Sequence, residues 1–92
     1  MIEFEWNSVK AASNLLKHKV SFEVASRVFQ DSARVIVFDR TKDGEQRWHA
    51  IGAVEGNLLL TVVFTVRAYG RKKRIRIISA RKASRRERKL YV

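Results

Sequence analysis

Lys17 and His18 form one group of side chains suited to chemistry, and the arginines of the chain's second half form another. Arg67, Arg74, Arg76 and Arg81 can each fork onto phosphate oxygens, two N–H groups at a time. Histidine exchanges protons near neutral pH, and His18 stands between Lys17 and Lys19, a setting that suits a base better than an acid. A phosphodiester with a neighbouring hydroxyl needs both groups. RNA carries its own nucleophile, the 2′-OH, so a protein has only to align it, neutralise the phosphate and move protons.

Each of these residues also has a plainer reading. Spacing alone favours a solvated helix end for His18, its ring bonded to the last carbonyls. Arg74 and Arg76 project from one face of a strand and Arg67 ends the neighbouring one, either as a phosphate clamp or as a solvated face that discourages aggregation. Arg81, Lys82, Arg85 and the other basic residues of the terminal segment suit general phosphate contacts or a hydrated surface. Tyr91 fits helix-end packing or proton donation. Trp6 and Trp48 have faces on which bases stack, although Trp6 closes an alternating strand and is expected in the core. His49, within a strand, is expected to be packed or at a rim.

Other chemistries find no support. The chain has no cysteine, which removes disulfides, thiolate ligands and thiol nucleophiles. Two histidines 31 residues apart, with no carboxylates at ligand spacing, make no metal signature, and no cofactor is expected. Gly52 to Gly56 lacks the spacing and the following Lys-Ser/Thr of a phosphate-binding loop, and no serine-nucleophile motif occurs. No apolar run approaches a membrane span, and MIEFEW is too acidic to open a signal peptide. The expectation is a cytoplasmic protein without membrane contact. Its 92 residues, 46% of them hydrophobic, form a single domain over 1–92.

Charge is distributed unevenly. Residues 1–46 carry seven basic and seven acidic side chains, so the net charge of +11 lies in residues 47–92. Between Arg67 and Lys89 there are twelve basic residues and one acid, Glu87. Crowding of that density disfavours compaction unless a polyanion relieves it, which points to nucleic acid or an acidic protein.

The elements that must position these residues follow from periodicity. Ile2, Phe4 and Trp6 alternate with Glu3 and Glu5 as a short strand. Asn7 or Ser8 caps a helix to about His18 with Val9, Ala12, Leu15 and Leu16 as its apolar stripe and Asn14 on the polar side. Ser21 caps a second helix carrying Phe22, Ala25, Val28 and Phe29, ended by Asp31-Ser32. Strands follow at Arg34–Phe38, Arg47–Gly52, Leu58–Val66 and Arg74–Ala80. Asp39–Gln46 reads as a polar hairpin loop and Ala68–Lys73 as a charged turn. Leu58–Val66, apolar on both faces, reads as a central strand covered on both sides. Ser84-Arg85-Arg86-Glu87 is a capping box that starts a terminal helix. The order β-α-α-β-β-β-β-α describes an α+β domain with a mostly antiparallel five-stranded sheet.

FEWNSVKAASNLLKHKVSFEVA (4–25), RWHAIG, LLLTVVFTVR and RIRIISARKASRRERKLY (74–91) together resemble the BrnT family of bacterial ribonuclease toxins, in order and over nearly the whole chain. The resemblance implies a RelE-like fold, RNA cleavage that inhibits translation, and neutralisation by a BrnA-like ribbon-helix-helix antitoxin whose complex with the toxin binds operator DNA. The family's recurrent polar positions fall on Lys17, His18, Arg47, Arg67, Arg76, Ser79, Arg81, Glu87 and Tyr91. Asn7 stands where the family has Asp, Lys19 where it has Gly, and Val24 where it has an acid. On this reading Lys17, His18, Arg67, Arg76, Arg81 and Tyr91 are the catalytic candidates, and Arg47, Arg74, Lys82 and Arg85 hold RNA. A non-catalytic nucleic-acid-binding module, recognised by salt-sensitive binding without cleavage, and a basic surface for an acidic protein are the alternatives.

Overall fold

The computed structural model describes residues 2–91. One five-stranded sheet forms the body of the molecule, in the order β1-β5-β4-β3-β2. Its strands are β1 (Glu3–Glu5), β2 (Val35–Lys42), β3 (Glu45–Val54), β4 (Leu58–Tyr69) and β5 (Lys72–Lys82). The ladders from β2 to β5 are antiparallel, and β1 joins the far side of β5 in parallel, so the sheet is mixed. Helices α1 (Ser8–His18) and α2 (Phe22–Ser26), continued by a 3-10 turn over Arg27–Gln30, lie N-terminal to the long strands. Helix α3 (Arg85–Leu90) follows them.

The core forms where α2 and the 3-10 turn meet one face of the sheet. Phe22, Ala25, Val28 and Phe29 pack onto Ala50, Leu60, Val62, Phe64, Ile77 and Ala80, all buried. Phe29 stands edge-on to Phe64 with 5.0 Å between ring centres, and Trp6 meets Phe22 at 5.9 Å, which places Trp6 with the core as its strand position suggested. The approach of the turn to the sheet is so close that a Cβ at Gly52 would sit 2.8 Å from a Val28 methyl.

Four local expectations need correction. Asp39–Gln46 is mostly strand: β2 runs to Lys42 and β3 starts at Glu45, leaving Asp43-Gly44 as a two-residue turn with φ of 53° and 79°. The polar residues there belong to a solvated sheet end, so no hydrophobic alternation marks them. Ala68–Lys73 likewise shrinks to a turn at Gly70-Arg71, where Gly70 has φ 64°. Along β4 the helices cover Leu60, Val62 and Phe64, but Leu58 and Val66 at its ends are exposed, so the strand is not covered on both sides throughout.

The fourth concerns α1. Val9, Ala12 and Leu16 face solvent and Leu15 is half exposed, while Asn14, expected on the polar side, is 7% exposed. Its side-chain amide donates to the carbonyls of Ala80 at 2.8 Å and Val20 at 3.0 Å, and its Oδ1 accepts from Ala80 N–H at 3.1 Å. Asn14 therefore pairs with the backbone of β5 as a neighbouring strand would. The inward side of α1 satisfies polar backbone here, and periodicity of apolar residues does not report that task.

The caps hold as expected. Asn7 Oδ1 accepts from Val9 and Lys10 N–H, Ser21 Oγ from Val24 N–H, and Ser84 and Glu87 form the reciprocal capping box. Lys19 closes α1 in the left-handed region, φ 61° and ψ 27°, its N–H bonded to Leu15 O.

Candidate functional site

The face of the sheet turned away from α2 is polar, because the register of β1, β3, β4 and β5 places charged residues side by side. Arg74 pairs across the ladder with Arg67 on one side and Glu3 on the other. One row along, Arg76 lies between Thr65 and Glu5. Glu45 reaches the same cluster from β3, accepting hydrogen bonds from Arg67 of 2.9 and 3.4 Å.

Glu5 is the hub of this network. Its carboxylate accepts from Tyr69 Oη at 2.8 Å and from Arg76 at 2.9 Å, with guanidinium nitrogens of Arg67 and Arg74 each 3.9 Å away. The Tyr69 hydrogen bond, with Arg76 and Arg67 beyond it, holds the Glu5 carboxyl below its ordinary range against the opposing effect of burial. Arg67 does the same to Glu45, and Glu45 in return raises Arg67. Arg74 stacks over the Tyr69 ring at 4.9 Å and donates to Glu3 at 3.1 Å. The convergence of Arg67, Arg74 and Arg76 that strand alternation suggested is thus present, with the addition of two carboxylates that occupy the guanidinium forks. Arg47, on the adjoining strand, buries its Nε without a hydrogen-bond partner.

A second group lies farther along the same face. Arg81 grips Glu87 of α3 through two hydrogen bonds, 2.6 and 2.9 Å, and thereby holds α3 to the sheet. His49 stands between two carboxylates, its Nε2 3.5 Å from Asp39 and its Nδ1 3.9 Å from Glu87. Arg81 pairs with Thr61 and Arg76 with Thr65, four residues apart on β4 and so ~13 Å along the strand. One phosphate cannot span that gap, and Arg81 belongs to the His49 group rather than to the Arg67–Arg76 clamp.

Lys17 and His18 line a third part, a cleft of about 330 Å³ between α1 and β5 that also includes Lys10, Ser13 and Ser79. Ser79 pairs with Val63 on β4, and Val63 pairs with His49 on β3. His18 and His49 therefore flank one row of the polar face, from opposite sides. Two strand spacings, about 10 Å, separate β5 from β3. Tyr91 lies elsewhere. It donates to Asp31 Oδ2 at 2.7 Å, and that carboxylate also accepts from Ala53 N–H. Ala53 is six residues along β3 from Arg47, ~20 Å from the arginine cluster. The Asp31 hydrogen bond raises the Tyr91 phenol above its ordinary range, which disfavours a proton-transfer role and suits a latch for the chain's end. Lys82 and Arg85 are exposed at the start of the terminal segment, beside Arg81 but outside both clusters.

Sequence patterns pointed away from Glu5, Glu45, Asp39 and His49. Each sits in a strand, where alternation predicts only which face a residue takes. Whether the facing residue on another strand bears opposite charge depends on register. For Glu87 the capping box was the visible signal, and its second role as partner to Arg81 was not.

The bidentate Arg81 contact holds the Glu87 carboxyl at about 2, with burial opposing and the Ser84 N–H assisting. A carboxyl lowered on folding stabilises the native state above its ordinary value of 4.5, and that contribution fades as pH falls toward 2. With solvent screening of Arg81 allowed for, Glu87→Gln is expected to cost about 1–2 kcal/mol at neutral pH. Urea unfolding across a pH series should show the gap between wild type and variant narrowing steadily below pH 4.5. A gap independent of pH would place the stabilisation elsewhere.

Residues 6–87 match the family described as "Ribonuclease toxin, BrnT, of type II toxin-antitoxin system". The fold is similar to the crystal structure of the Brucella abortus ribonuclease toxin BrnT, with a TM-score of 0.64 and 24% identity, covering 92% of this chain and 100% of that one. A search of curated protein sequences gave no match.

Proposed function

Because the chain belongs to the BrnT family of ribonuclease toxins of type II toxin–antitoxin systems, we propose that it cleaves RNA on the polar face of its sheet, without a metal ion, and so arrests translation in the cytoplasm. A ribbon-helix-helix antitoxin neutralises it, and the complex acts on operator DNA. The observation that carries the enzymatic reading is the clustering of Arg76 with Arg67, Arg76 one row and Arg67 two rows from a line flanked by His18 and His49.

In this mechanism an RNA phosphate enters the space between the arginines and exchanges with the carboxylates of Glu5 and Glu45 as the partner of their forks. Carboxylate and phosphate oxygens satisfy the same N–H pairs, so the free protein already holds the guanidinium groups in the orientation the phosphate needs. The 2′-oxygen attacks phosphorus while its proton passes to His18, with Lys17 beside it. The bond from phosphorus to the 5′-oxygen breaks, and His49, oriented by Asp39 and Glu87, protonates the departing oxygen. The products are a 2′,3′-cyclic phosphate and a 5′-hydroxyl. Arg47 and Arg74 hold flanking phosphates, and Lys82 and Arg85 extend the basic surface along the strand.

Purified protein incubated with RNA in excess EDTA is expected to yield fragments ending in cyclic phosphate. His18→Ala and His49→Ala should each slow cleavage at least tenfold. Intact RNA with antitoxin-free, folded protein would rule out the enzymatic reading and leave salt-dependent binding as the function. Cleavage abolished by EDTA would overturn the metal-free mechanism alone.

A further inference from the structure

Helix α1 wears its apolar stripe on the outside. Val9 is 75% exposed and Leu16 76%, Ala12 between them on the helix is also exposed, and Leu15 is 47% exposed. Scattered apolar residues on a surface are ordinary, but four on one eleven-residue helix, at spacings that repeat every three to four residues, make a continuous strip. Nothing in the fold requires it, since Asn14 and Ala11 supply the inward side.

We propose that this strip is the docking site for the antitoxin, an inference that rests on the toxin–antitoxin reading, and that the docked segment is amphipathic and acidic. Its apolar residues cover Val9, Ala12 and Leu16, and its carboxylates meet Lys10, Lys17 and Lys19, which rim the strip on the same helix and its cap. Charge complementarity selects this occupant over a second copy of the chain. Two copies joined through α1 would bring these lysines of each into opposition, in a protein whose net charge is already +11. RNA fits the strip poorly, because exposed aliphatic side chains offer neither stacking faces nor phosphate donors. Position gives the contact its consequence. Val9 of the strip and Lys10 and Lys17 of its rim also line the cleft that holds His18, so a segment lying along α1 closes that cleft to RNA.

The test uses the full chain and the separately purified product of the reading frame adjacent to its gene. The double variant Ala12→Gln, Leu16→Gln removes the apolar contact without adding charge, keeps helix-forming residues at solvent-exposed positions and leaves the inward side of α1 intact. It is expected to bind that product at least tenfold more weakly than wild type does, and to keep cleaving RNA when the product is present at a ratio that silences wild type. In the product's absence its cleavage rate should stay within twofold of wild type. Equal binding by variant and wild type, or no binding by either, overturns the proposal. Loss of RNA cleavage by the folded variant would make the strip an RNA surface, and a wild-type dimer that the variant separates would make it a self-association surface. Should wild type bind the product yet leave RNA intact, the ribonuclease reading fails while the docking result still stands or falls on the binding comparison.

Discussion

Arg76→Ala is expected to lower kcat for RNA cleavage by ~10²–10³-fold, the loss typical of removing one preorganised donor to a developing oxyanion. Arg76 stands out among the three clustered arginines because its side chain is 23% exposed, against 39% for Arg67 and 41% for Arg74. Less water around a guanidinium means a stronger field at the phosphate it holds. KM should change less than kcat, since the neighbouring arginines and the basic flanks still hold the RNA backbone. Arg74→Ala provides the contrast. Its fork turns toward Glu3 at the edge of the sheet, and its loss should appear mainly in KM and salt dependence. Steady-state kinetics on a short oligonucleotide would separate the two effects, with circular dichroism confirming the fold. An Arg76→Ala enzyme with wild-type kcat would move the reaction centre off this face.

The carboxylates make the prediction sharper. In the free protein Glu5 and Glu45 partly neutralise the cluster, so the face is not a bare cationic patch. The uncompensated charge lies instead on Arg71 to Lys73, at the turn into β5, on α3 and on α1, where residues are exposed. On the proposed mechanism those flanks attract a polyanion at long range, and the compensated centre selects at short range by geometry. Arginines paired with carboxylates keep their orientation without substrate and avoid mutual repulsion in the folded state.

How much of this was legible in the sequence depended on whether a signal was local. Caps, the order of elements and the shared face of Arg74 and Arg76 are all written within a few residues: Asn7, Ser21 and Ser84 cap helices whose starts they announced. The arginine cluster itself followed once Arg67 was placed on the adjoining strand. What escaped were relations set by register and by the packing of one element on another. Glu5 and Arg76 are 71 residues apart, and only the parallel pairing of β1 with β5 joins them. Arg81 is five residues from Arg76, so plain alternation sets the two on opposite faces; the irregularity in the β4–β5 ladder between Val63 and Phe64 returns Arg81 to the polar face, where Glu87 of α3 meets it. Tyr91 resembled a phenol at a helix end, and its partner Asp31 lies 60 residues earlier.

Asn14→Ala is expected to be the most destabilising single substitution outside the apolar core, costing about 3 kcal/mol. The variant removes three hydrogen bonds at once and leaves the Ala80 carbonyl, the Ala80 N–H and the Val20 carbonyl in a buried place. An unpaired buried polar group costs ~1–3 kcal/mol, and relaxation with entry of water offsets part of the sum. For a domain of this size that is a large share of total stability. Asn14→Asp should be worse at neutral pH. It forfeits both amide donors and aims a carboxylate at two carbonyl oxygens, so its deficit should shrink as acid protonates the new side chain and restores one donor. Asn14→Ser, which is too short to bridge both strand and loop, should fall near alanine. Urea unfolding at neutral and acidic pH would measure all three. The same variants bear on function, because Asn14 holds α1 to β5 and so fixes the walls of the cleft around Lys17 and His18. If α1 is anchored in this way, amide exchange in α1 should rise in Asn14→Ala before it rises in β4, and RNA cleavage should fall at temperatures where the sheet is still folded. Exchange that rises uniformly through the chain would show that Asn14 stabilises the whole domain without anchoring α1 in particular.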